Sequence, residues 1–158
     1  MITLNPRLTP LEIKSFLGGD LYYGSKIKPE QCEIFRQKIN DYLPKLDLNQ
    51  NEDYLVANAL NPLLQSLGFT TAIKHKMQGK SEIDLVLTKD SAISVIIEAK
   101  KPHSKEMPSA DNPNAKALYE AILYYFRERE NGNLGIKSIV LTDFYRFFII
   151  KSRAFESV

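Results

Sequence analysis

Two stretches decide the reading of this chain: Ser81-Glu82-Ile83-Asp84-Leu85-Val86-Leu87 and Ser94-Val95-Ile96-Ile97-Glu98-Ala99-Lys100-Lys101-Pro102. Both are short, rich in β-branched residues and bounded by turn formers, Gly79-Lys80-Ser81 and Lys89-Asp90-Ser91, so both are predicted strands. Residues two apart in a strand share a face. Glu98 and Lys100 therefore point the same way at the end of an otherwise apolar strand. If the two strands form a hairpin, Asp84 reaches that same end of the sheet. Two carboxylates and an ammonium group beside buried apolar surface are costly unless something neutralises them. Mg²⁺ suits the role, since it takes oxygen ligands, here two carboxylates and a backbone carbonyl, and keeps several waters. A lysine beside the metal can orient an attacking water and stabilise charge building up on a phosphate. The chemistry expected of such a group is phosphodiester hydrolysis. The rival reading is a solvent-facing Glu98–Lys100 ion pair with Asp84 a separate surface acid, because a bare D…ExK spacing is common by chance.

Working outward, Thr70 to His75 precedes these strands and completes a predicted three-stranded meander. Asn114 to Glu130 reads as a helix ended by Asn131-Gly132-Asn133, and Ile136 to Leu141 and Tyr145 to Ile150 as two further strands. Upstream, Thr9-Pro10-Leu11-Glu12 has the pattern of a helix start, and Gly18-Gly19 ends that short helix. Lys28-Pro29 opens a second helix, with Ile34, Phe35, Ile39 and Leu43 on one stripe and Pro44 closing it. A third runs from about Asn51 to Ser66, stopped by Gly68, and Pro62 inside it predicts a kink or split. Helices followed by β-β-β-α-β-β predict an α/β class, with a mixed sheet flanked by helices.

A chain of 158 residues, 44% hydrophobic and 25% charged, is expected to form one soluble domain with a real core. No composition break or repeat divides it, so residues 1–158 read as one unit: a helical segment over 1–48 and the sheet-bearing core over 49–158. No apolar run approaches the ~18 residues of a membrane span. The first fifteen residues carry Arg7, Glu12 and Lys14 without an apolar segment, which argues against a secretory signal. With Cys32 as the single cysteine, a reducing cytoplasm is the expected location. Twenty-one basic and nineteen acidic residues leave a net charge of +2, too little to argue for nucleic acid from charge alone.

Asp84…Glu98-Ala99-Lys100 on a predicted hairpin, preceded by an acidic helix and followed by a helix and strand, resembles the PD-(D/E)XK nuclease core. The likeness is nearer to the amino-terminal nuclease region of type IIG restriction–modification enzymes and extends over nearly the whole chain. It is carried by Leu4-Asn5-Pro6-Arg7, Val95-Ile96-Ile97-Glu98-Ala99-Lys100-Lys101-Pro102 and Asn112-Pro113-Asn114-Ala115-Lys116-Ala117-Leu118, then by the blocks Glu120 to Arg129 and Leu141 to Ile150. The resemblance implies a restriction-endonuclease-like α-β-β-β-α-β core with extra N-terminal helices, and a Mg²⁺-dependent DNA endonuclease in which Mn²⁺ can substitute. By the family pattern Asp84 and Glu98 hold the metal with the Ala99 carbonyl, Lys100 positions the water, and Glu52 is an auxiliary carboxylate. Asp53 is the competitor for that last role, since one helical step of 100° decides which of the two faces the site. Ile83 stands where the motif name has proline. The following helix offers Lys116 and Glu120 where many superfamily members have glutamine, and the role of Glu120 stays open. Family members continue into a methyltransferase and a target-recognition region, neither of which occurs before Val158. The resemblance thus implies the nuclease part of a larger enzyme acting on double-stranded DNA. The alternatives are a catalytically silent DNA-binding or assembly module of the same fold, and a repair nuclease or junction resolvase of the superfamily.

Other residues carry weaker signals. Lys74, His75, Lys76 and Lys80 form a basic run without an acid that could touch phosphates, as could Lys101 and Lys116; the plain alternative is an edge strand protected by lysines. Lys116, Glu120 and Arg127 fall within about 40° on a helical wheel, either a solvent stripe or a face turned to the cleft. The rest of that helix is apolar enough to predict contact with something further, a downstream region or a second copy of the chain. His75 and His103 are too far apart to suggest zinc. Cys32 reads as a packing residue, as do Tyr22-Tyr23 and Phe147-Phe148.

Overall fold

The computed structural model describes residues 11–18, 26–76, 82–109 and 111–156. Five strands, β1 (Thr70–Lys76), β2 (Glu82–Lys89), β3 (Ala92–Ala99), β4 (Ser138–Thr142) and β5 (Phe147–Lys151), form one sheet in the order β1-β2-β3-β4-β5. Neighbours are antiparallel except β3 and β4, which run parallel. A parallel pair needs a long crossover, and here it contains the helix α5 (Lys116–Glu130). The expected mixed sheet flanked by helices is the observed class, and no helix among the described residues is long and apolar enough to cross a membrane.

Alternation along β3 sorts the interior into two layers. Ile96 packs with Val86, Ile139 and Leu141 against Ala117, Leu118, Ala121 and Tyr125 of α5. Ile97 and Ala99 pack on the opposite face with Leu85, Leu55, Val56, Ala59, Leu60 and Phe144. Each fully buried Leu or Ile in these layers contributes about 1.5–3 kcal/mol.

Besides α1 (Ile13–Leu17), which buries no residue, the helices are α2 (Pro29–Tyr42), α3 (Glu52–Leu55) and α4 (Asn61–Ser66) of the second layer, with a π-helical turn over Val56–Leu60 joining the last two. Asn51 caps α3, its side chain accepting the Tyr54 N–H at 2.8 Å. The split expected at Pro62 takes the form of that π turn. Proline has no N–H to bond back, and the Asn61 N–H reaches five residues back to the Val56 carbonyl.

Several expectations are corrected. The helix start read from Thr9 to Glu12 falls partly outside the described residues (Thr9 and Pro10); Glu12 is the N-cap of α1, not a residue of its first turn. Ile34 and Phe35 of α2, and Leu43 just after it, are exposed, while Tyr42 is buried. Only Ile39 and Tyr42, near the end of α2, meet the second layer, where the Tyr42 hydroxyl donates to the Phe144 carbonyl at 2.7 Å. Cys32 is exposed on the same helix, so it does not pack. The last strand begins two residues later than expected because Tyr145 lies in a turn. There the Asp143 carboxylate accepts the N–H groups of Tyr145 and Arg146, and Phe144 takes φ +72°. Leu4 to Arg7, Tyr22-Tyr23, Lys80 and the turn around Gly79 lie outside the described residues.

Candidate active site at the end of the central strands

Strands β2 and β3 pair Leu85 with Ile97, and continuing that register brings Asp84 to Glu98, which feels its charge. The Asp84 carboxylate accepts the Ala99 N–H at 2.8 Å, which ties the two strand ends together. Just beyond β3 the Lys100 N–H donates to the Thr142 carbonyl at 2.9 Å, so β4 fixes the lysine backbone. Alternation then returns the Lys100 side chain to the Glu98 face, where Nζ lies 2.6 Å from Glu98 Oε1.

This pair is not solvent-facing: Glu98 is 2% and Lys100 6% exposed. The plain reading of the motif as a surface ion pair is therefore excluded. A third carboxylate, Glu120 of α5, lies 2.8 Å from Lys100 Nζ, and Glu106 lies 3.9 Å away. Lys116, one turn before Glu120, closes the group at 2.9 Å from Glu106 and 3.6 Å from Glu120. The stripe on α5 thus brings Lys116 and Glu120 to Glu106 and Lys100.

From the opposite layer, Glu52 in the first turn of α3 accepts the Lys101 N–H at 2.7 Å. Asp53 turns away and pairs with Lys74 at 2.6 Å on the surface, so of the two neighbours Glu52 is the one aimed at the strand ends. Asp84, Glu98, Ala99, Lys100 and Glu52 are thereby brought together. The basic run is not: Lys74 is paired with Asp53, and Lys76 stands opposite Glu82 in the β1–β2 ladder. The run looks free of acids only because its partners lie elsewhere in the sequence. Lys101 is exposed beside the site, and Lys80 is outside the described residues.

The electrostatics follow from this geometry. Burial, followed by the charge of Asp84, pushes the Glu98 carboxyl up to about 8. Burial likewise lifts Asp84 to about 6, against the opposing hydrogen bond from the Ala99 N–H. Lys100 is drawn down by burial, but its hydrogen bonds to Glu120 and Glu98 outweigh this and raise it. Glu120 is lowered: burial pushes it up, and the Lys100 ammonium more than reverses that. Tyr124, one turn beyond Glu120, is lifted to about 12 by burial and then by the charge of Glu98.

Among the described residues no group of three or more His, Cys, Asp or Glu side chains is placed to hold a metal ion. What the site does offer a cation is Asp84 close to Glu98, with Glu98 Oε2 buried and without a donor from the protein. A lone buried carboxylate oxygen is costly to maintain, and a hydrated divalent cation would satisfy it. Four carboxylates (Asp84, Glu98, Glu106, Glu120) face two ammonium groups (Lys100, Lys116), so the inner group when ionised carries two uncompensated negative charges. Carboxylate oxygens of this kind are the donor type that Mg²⁺ takes.

Glu106 is the residue that sequence reading missed. It lies in the irregular segment between β3 and α5, where no periodicity assigns a face. An acid ten positions before Lys116 was its only signal.

No curated protein and no solved structure matches the chain significantly. The family described as a domain of unknown function (DUF7149) matches residues 12–158, and the chain belongs to that family.

Proposed function

We propose that this chain is a Mg²⁺-dependent DNA endonuclease module with a PD-(D/E)XK core, the nuclease part of a type IIG restriction–modification enzyme. The observation that carries the reading is Glu98: a buried carboxylate close to the charge of Asp84, with Lys100 on one oxygen and no donor from the protein on the other. The order of helix, three antiparallel strands, crossover helix and parallel strand supports the restriction-endonuclease-like topology.

In this reading Asp84 and Glu98 hold the cation with the Ala99 carbonyl, and Mn²⁺ can replace Mg²⁺. The bound ion supplies Lewis acidity toward a phosphate oxygen and lowers the pKa of its water. Lys100 donates a hydrogen bond that orients the water and offsets charge growing on the phosphate. Glu52 fixes the Lys101 backbone just beyond Lys100, which keeps the lysine aligned with the strand end. Lys101 and Lys116 border the site where a phosphate backbone would lie, and double-stranded DNA is the substrate class. In such an enzyme the methyltransferase and target-recognition regions would choose the sequence to be cut.

One observation favours the rival reading of a silent binding module reliant on partners. Lys74 and Lys116 already have carboxylate partners, which weakens autonomous contact with DNA. Calorimetric titration of Mg²⁺ or Mn²⁺ into the wild type, Asp84→Ala and Glu98→Ala separates the two. The nuclease reading expects binding by the wild type alone, followed in a plasmid-nicking assay by Lys100→Ala that binds metal but does not cut. No wild-type binding, or equal binding by all three proteins, overturns it.

A further inference from the structure

Lys100 has more countercharge than its strand neighbour supplies. Its ammonium lies 2.6 Å from Glu98 Oε1 and 2.8 Å from Glu120 Oε2, groups from different elements of the fold. A lysine ammonium is a compact point charge on a flexible four-carbon stem, and a single carboxylate leaves it free to pivot. A second carboxylate, delivered by a packed helix, removes that freedom. Glu120 is itself braced, because Lys116 one turn earlier contacts it at 3.6 Å and is anchored to Glu106 at 2.9 Å.

The arrangement matters because Glu98 has two oxygens and two demands. Oε1 serves Lys100, while Oε2 is buried and receives no donor from the protein. A cation taken up by Glu98 repels the neighbouring ammonium and competes for the same carboxylate. Were Glu98 the only acid in contact, Lys100 would be expelled as the cation arrived. We propose that Glu120 is a positioning residue: it holds Lys100 in place and carries its countercharge, leaving Glu98 to serve the cation. This rests on the proposed function for the role of Glu98, but the hold of Glu120 on Lys100 can be tested without it.

The test uses the full chain as wild type, Glu120→Gln and Glu120→Asp, first without metal. An ammonium fixed between two carboxylates and shielded from solvent gives an observable ¹H–¹⁵N signal at Lys100 Nζ, assigned by its loss in Lys100→Arg. The expected result is that the signal is present in wild type, absent or broadened in Glu120→Gln and partly retained in Glu120→Asp. With Mg²⁺ and DNA, Glu120→Gln should lower the cleavage rate at saturating DNA by about tenfold or more, with DNA KM within about twofold of wild type. Glu120→Asp should recover part of the rate. A Lys100 signal and a kcat unchanged in Glu120→Gln overturn the proposal. If Glu120→Gln does not fold, Glu120→Asp decides alone: a wild-type signal counts against the proposal, and an attenuated one supports it. A wild type that neither binds metal nor cuts DNA sinks the nuclease reading, while the Lys100 signal still shows whether Glu120 holds the ammonium.

Discussion

Glu98 is the least exposed of the buried acids among the described residues, and its protonation couples the site to the stability of the fold. The folded protein holds a proton on Glu98 up to about 8 and on Asp84 up to about 6, whereas ordinary carboxylic acids release theirs near 4. Between those limits the folded state binds more protons than the unfolded chain, so stability falls as pH rises. The penalty begins above the ordinary carboxylate range and is complete above about 8. Glu98→Gln, which removes the titrating group, should melt higher than wild type near pH 8.5 in EDTA, with the difference shrinking toward about pH 5. Thermal denaturation across that range is the check. Lys100→Met should act in the opposite sense at high pH, since it strands Glu98 and Glu120 without their cation; the cost of breaking a buried pair is about 3–5 kcal/mol by urea denaturation. At this scale the sequence was readable wherever a strand period applied. Asp84, Glu98 and Lys100 were placed by counting in twos. The contacts of Glu106 and Glu120 were not, because they join elements whose distance no local spacing encodes.

The elements show where local chemistry is decisive and where packing overrides it. Asn51 was readable as a helix start, and its side chain does cap α3. Asn51→Ala should cost about 1 kcal/mol in urea denaturation and Asn51→Ser far less. Because Glu52 follows the cap directly, the alanine variant should also loosen the Lys101 amide, read as faster hydrogen exchange there. Pro62 announced an interruption, but not its form as a π turn, since a missing N–H can be accommodated in several ways. The stripe on α2 misled because periodicity reports that a helix has an apolar face, not that the sheet extends far enough to cover it. Of that apolar stripe only Ile39, with Tyr42 beside it, packs into the second layer, while Ile34 and Phe35 lie exposed.

For the whole molecule, the order of elements predicted the class, and the observed sheet is mixed with helices on both faces. The parallel partner of β3 was not specified by any short stretch, because it depends on the crossover through α5. A ligand that binds only the folded state stabilises it by mass action, by about 2.7 kcal/mol at one hundred times its Kd. Mg²⁺ should therefore raise the melting temperature of the wild type and leave that of Asp84→Asn unchanged, in a concentration series read by differential scanning fluorimetry. On the outer side of α5, Tyr119, Leu123 and Phe126 are exposed on one stripe, in keeping with a helix more apolar than its own core requires. Replacing Leu123 and Phe126 with serine should change the unfolding free energy by less than about 1 kcal/mol, measured with urea.

The bond from the Lys100 amide to the Thr142 carbonyl has a consequence in time as well as space. Strand β4 lies some forty residues after the lysine it steadies. A nascent chain on the ribosome can pair β1, β2 and β3 while that amide still lacks its acceptor, and α5 must fold and swing across before the acceptor arrives. Translation thus delivers Asp84, Glu98 and Lys100 before the strand that steadies them.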